Sequence, residues 1–103
     1  MGIIKNLSEM ISEEIGDAAK YAECALKHKE DMPKLSELFY RLSKDEMSHA
    51  EQLHDAVVEI IRDWKARNGE PPEGMMAVYT YLHDKQIEET TRVRAMQSMY
   101  SNG

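Results

Sequence analysis

The three prolines of this 103-residue chain fall at only two places, Pro33 and the pair Pro71-Pro72. That leaves three long runs in which nothing interrupts an α-helix. An all-β chain needs turn signals at short, regular intervals, so the pattern predicts an all-α protein. The first interruption is Glu30-Asp31-Met32-Pro33, where Asp31 is placed to cap and Pro33 suits the first turn of a new helix. The second runs from Asn68 to Gly74; Gly69 can take the positive φ that ends a helix, and the prolines prevent its continuation. The expected helices cover about 6–29, 33–67 and 75–100 in one domain spanning 1–103, with Asn6 and Glu9 resembling a capping box.

Charge and cysteine usage narrow the class. Nineteen acidic residues against 13 basic ones give a formal charge of −6, and the basic footprint of a nucleic-acid binder is missing. Cys24 is the single cysteine and cannot form an internal disulfide, which points to a reducing compartment and an inert buried thiol. No apolar run is long enough to span a bilayer, and Met1-Gly2-Ile3-Ile4-Lys5 lacks the layout of a signal peptide. The expectation is a cytoplasmic helical protein with neither nucleic-acid nor membrane partners.

Each helix carries an apolar stripe at three-and-four spacing. In helix one it is Leu7, Met10, Ile11, Ala18, Tyr21 and Ala25. In helix two it is Leu35, Phe39, Leu42, Leu53, Val57, Ile60 and Trp64, and in helix three Met75, Tyr79, Leu82, Val93, Met96 and Tyr100. Helix two spans about 50 Å against about 36–39 Å for the others. Its apolar face continues beyond the cover that a folded-back helix one gives, so a homodimer or higher homo-oligomer is expected.

Polar gaps in these stripes carry the chemistry. Glu14 stands between Ile11 and Ala18, and Glu46 and His49 stand between Leu42 and Leu53, all on faces that should be buried. A lone buried carboxylate costs several kcal/mol unless its charge is compensated. Glu46 and His49, three residues apart, project from one side of the helix toward one point. Carboxylate oxygen with imidazole nitrogen suits iron or manganese, and zinc also fits. The competing reading is a hydrogen-bonded or salt-bridged cluster, but neither stripe holds a basic residue nearby to neutralise it. A second Glu-x-x-His, Glu51 to His54, points away from the stripe and reads as solvated surface. Carboxylate-type helix-bundle metal proteins take one Glu from each of two helices and Glu-x-x-His from each of two others. This chain offers one of each, half of a dinuclear site, and two chains about a two-fold axis would complete it.

The run Glu14 to Tyr21, followed about thirty residues after Glu14 by Leu42-Ser43-Lys44-Asp45-Glu46-Met47-Ser48-His49-Ala50, resembles the first two helices of rubrerythrin-like, ferritin-like proteins. In architecture the likeness is greatest to the encapsulated ferritins, short chains that dimerise to build a four-helix di-iron site. The resemblance covers about residues 7–64. It implies Glu14, Glu46 and His49 as ligands to two irons per dimer, Tyr21 as a nearby hydrogen-bonding or redox-active residue, and ferroxidase or related dioxygen or peroxide chemistry. Helix three has no place in a plain half-bundle. No CxxC pair supplies the rubredoxin-like centre of true rubrerythrins, so an electron donor or acceptor would be external. The alternative function is a non-catalytic structural or interaction module on the same fold.

The remaining polar residues divide between flank and site. Asp17 can reach the site or occupy its edge, and Glu13 faces solvent. On the residues alone Tyr21 reads as a core tyrosine. Gly16 reads as permitting close helix approach and His28 as meeting the negative end of helix one. His83, Asp84, Glu88 and Glu89 form a polar cluster on helix three, and the eight methionines read as adaptable core.

Overall fold

In a computed structural model describing residues 2–103, the chain forms α1 (Gly2–Lys27), α2 (Pro33–Asn68) and α3 (Glu73–Asn102). The all-α expectation is met, with shifted boundaries. Because α1 starts at Gly2, Asn6 lies inside the helix and caps nothing. Asp31 does not cap α2 either: Met32 occupies that position without a side-chain bond, and Asp31 sits 3.3 Å from Nδ1 of His28. His28 therefore meets a carboxylate and not simply the helix end. Gly69 closes α2 at φ 79°, its N–H donating to the Lys65 carbonyl.

The seam between α1 and α2 is built from small side chains. Ala18, Ala22 and Ala25 on α1 are buried, as are Ser36, Ser43, Met47 and Ala50 on α2. Small residues let the backbones approach closely enough for the two serines to bond across the seam. Ser43 Oγ donates to the Ala18 carbonyl at 2.7 Å, and Ser36 Oγ donates to the Ala25 carbonyl. Ile4, Ile11, Ile15, Val57 and Ile61 extend the core toward the open end of the hairpin. The larger residues expected to form the stripe of α2, Leu35, Phe39, Leu42 and Leu53, are only half-buried, and Met10 is exposed.

α3 lies mainly on α1 and meets α2 at few points. Gln86 donates from Nε2 to the Ser8 carbonyl at 2.9 Å and to Ser12 Oγ at 3.0 Å, and Val93 is fully buried. At the other end Gln97 Nε2 donates to Ser43 Oγ at 2.9 Å, and the Tyr40 and Tyr100 rings stack. Gly16 does not mark a close approach, since a Cβ there would meet nothing within 4 Å. The long axis of the molecule measures 55 Å, close to the about 54 Å expected of a 36-residue helix. Among the described residues no helix is long and apolar enough to cross a membrane.

Ser43 joins all three helices, donating to α1 and accepting from α3. Replacing it with Ala should cost about 1–2 kcal/mol, because Gln97 loses its acceptor along with the bond to Ala18. Urea denaturation of S43A beside the parent chain measures this.

Candidate metal centre

The serine–alanine seam sets the register of the hairpin, and that register brings Glu14 of α1 beside the Glu46–His49 turn of α2. One ligand atom from each of the three residues lies within 4.8 Å of the others. His49 Nδ1 stands 3.5 Å from Glu14 Oε2 and 3.9 Å from Glu46 Oε1. The side chains of Glu14 and Glu46 are 28% and 21% exposed, while His49, at 53%, stands at the rim. The cluster therefore opens on one side of the hairpin.

Its electrostatics are unfavourable without a cation. Glu14 Oε2 is buried and receives no hydrogen bond, because the imidazole faces it outside bonding geometry. The carboxyl of Glu46 is pushed up to about 7. The Glu14 carboxyl beside it is the largest cause, followed by burial and the Glu14 charge. Asp17 adds a smaller repulsion, and His49 opposes the shift. An acceptor-only oxygen shielded from water beside a second carboxylate is what a divalent cation neutralises, and the mixed oxygen–nitrogen donor set fits iron.

The other expected site residues separate. Asp17 is exposed and acts on the cluster through its charge. Tyr21, also on α1, is half-buried and stacks on Phe39 with ring centroids 6.1 Å apart. Of the polar cluster on α3, Asp84 and Glu88 face solvent and Glu89 pairs with Arg92, whereas His83 turns inward. His54 corrects the reading of the second Glu-x-x-His as solvated surface. Glu51 is exposed and paired with Arg94, but His54 is half-buried and stacks on His83. The signal was present in the spacing, since His54 falls on the line Ala50, Val57, Ile61 that turns out to be the inner face of α2.

The family model described as Rubrerythrin matches residues 5–101, nearly the full length. The chain belongs to the rubrerythrin family. Searches of curated proteins and of solved structures returned no match. Membership places this rubrerythrin-family chain in the ferritin-like superfamily, and the Glu14, Glu46 and His49 cluster lies on the two helices that carried the resemblance.

The raised Glu46 carboxyl has a consequence for the metal-free protein. Its folded state holds the proton up to about pH 7, whereas the unfolded chain releases it near the ordinary value of 4.5. This group therefore contributes stability that is full below 4.5 and lost as pH rises through about 7. Chelator-treated protein should melt at a lower temperature at about pH 8 than at about pH 5. Glu46→Gln, which cannot ionise, should flatten that part of the profile, and thermal melts across the range check it.

Proposed function

We propose that this protein is a di-iron carboxylate protein of the encapsulated-ferritin type, with its metal centre completed between two copies of the chain and oxidation chemistry directed to iron handling. The observation that carries the reading is the buried, unbonded Oε2 of Glu14 set against Glu46 and His49. One chain offers two carboxylates and one imidazole, and a second copy about a two-fold axis would double this to the full set of a dinuclear bundle site.

Each residue has a separable task. Glu14 and Glu46 would supply the anionic oxygens that hold the cations, and His49, at the rim, would supply a nitrogen. Glu46 keeps a proton near neutrality until a cation arrives, so loading releases that proton and weakens as pH falls below about 7. Iron bound there would supply the Fe(II)/Fe(III) couple for reaction with dioxygen or peroxide. Tyr21, two turns beyond Glu14 on the same side of α1, is suited to hydrogen bonding or one-electron traffic near the site.

The face that carries the cluster also explains why a second copy is needed. Met10 on α1, and Leu35, Phe39 and Leu42 on α2, share the three-and-four spacing of Glu14, Glu46 and His49. Met10 is 47% exposed and the three on α2 are only half-buried. Pairing two such faces would cover this apolar surface and enclose the cluster in a single step.

Elemental analysis of anaerobically prepared protein, combined with its mass in solution, should give two irons per dimer. Glu46→Ala should abolish bound iron and leave the metal-free chain as stable or more so, since a crowded carboxylate is removed. The parent protein should oxidise Fe(II) faster than buffer alone. Iron stoichiometry unchanged in E46A would refute the ligand assignment. Bound iron with no accelerated oxidation would instead favour a metal that staples a structural dimer.

A further inference from the structure

Near the closed end of the α1–α2 hairpin, Tyr40 in the second turn of α2 and Tyr100 in the last turn of α3 lie ring on ring. Their centroids are 4.6 Å apart and their planes differ by 23°. Among the described residues no other two tyrosines are in ring contact. Tyr21 stacks on Phe39, Tyr79 stacks on His83, and Tyr81 is exposed with Lys85 Nζ over its ring. Aromatic packing alone accounts for a contact at this separation. The surroundings of this pair make it reactive as well as adhesive.

We propose that Tyr40 and Tyr100 form a modification site, at which a peroxide joins them as a dityrosine cross-link between α2 and α3. The peroxide takes two electrons in one-electron steps, one from each phenol, and each phenol's proton leaves to water. In a phenoxyl radical the unpaired electron spreads over the oxygen and the ortho carbons, in lobes perpendicular to the ring. Stacked rings turn those lobes toward each other, so one ortho carbon of each ring can bond to the other. The hydrogen on each bonded carbon then moves to its oxygen and restores two phenols. The protein loses two electrons and two protons in all, and hydrogen peroxide would leave as two waters.

Three features favour this outcome. Both rings are half-buried, and among the described residues neither hydroxyl bonds to another protein group, so each proton has a path to solvent. Lys44 Nζ lies 5.5 Å from the Tyr40 centroid, and Lys29 Nζ lies 4.9 Å from that of Tyr100. Lys29 also donates to the Tyr100 carbonyl at 2.6 Å, so both rings are steadied by an ammonium group. Holding the two radicals in one molecule at contact distance makes their coupling unimolecular, which favours it over coupling between chains.

The link has a structural consequence. α2 and α3 meet at few points, and Tyr100 stands close to the free end of α3. A bond from Tyr100 to Tyr40 would pin that end and restrict the unfolded chain, as a disulfide does.

Photo-oxidation of the dilute, chelator-treated parent chain, with ruthenium tris-bipyridine and peroxodisulfate, tests the proposal. Dityrosine fluorescence should appear in a product that keeps the mass of a single chain on a denaturing gel. Its digest should contain the Tyr40 and Tyr100 peptides joined, two hydrogens lighter than their sum. Tyr40→Phe and Tyr100→Phe keep a ring in the stack and should each abolish the product, whereas Tyr81→Phe should leave the yield unchanged. Circular dichroism verifies that the variants remain folded, and the linked chain should melt at a higher temperature than the unlinked one. Absence of dityrosine, a link formed between chains, or one that persists in Y40F or Y100F would overturn the assignment. A link that leaves the melting temperature unchanged would refute the pinning of α3. Because the chain is tested free of metal, failure here leaves the di-iron reading untouched, and failure of that reading leaves this one standing.

Discussion

The close approach of α1 and α2 is the constraint on which the rest depends. Alanines on one helix and serines on the other leave so little side chain between them that serine hydroxyls reach the neighbouring helix's carbonyls. That contact fixes the register along the hairpin, and register decides that Glu14 meets Glu46 and His49. A slide of one helical turn, about 5.4 Å, would separate the three groups. α3 reinforces the same register, because Gln97 bonds the seam serine Ser43 and Gln86 holds the α1 backbone at Ser8.

A seam of small residues has a second effect. It consumes little of the chain's bulky apolar surface, so Met10, Leu35, Phe39 and Leu42 are left on the flank beside the carboxylates. Two demands then coincide on one face. The carboxylates are incompletely compensated, and the apolar residues are only partly covered. Replacing a buried ion cluster by hydrophobic residues is often neutral or stabilising in proteins. One carboxylate oxygen here has no hydrogen-bond partner, and that is the strain the proposed ion would relieve.

Much of this was legible in the chain. Proline placement gave the three helices to within a few residues, and polar gaps in the stripes singled out Glu14, Glu46 and His49 together. The finer errors share one cause. Asn6 and Asp31 have the chemistry of capping residues, but capping depends on where the backbone leaves the helix, and the helix began earlier or the side chain found His28. Met10 keeps helical spacing with Leu7 and Ile11 but lies at the edge of the buried face, which runs through Ile4, Ile11, Ile15 and Ala18. His54 looks external beside the stripe of large residues, but serine and alanine mark the inner face of α2.

The sequence by itself determined the helical class, the element order and the identity of the clustered carboxylates and imidazole, because these follow from local spacing and from the cost of burying charge. Only the tertiary structure decided which face of α2 turns inward, since two faces carried apolar residues and only docking of the small-residue seam distinguishes them. It also decided that His54 and His83 share a cleft. They lie on helices whose mutual placement depends on α1, and no local pattern encodes a distance between two elements that meet through a third.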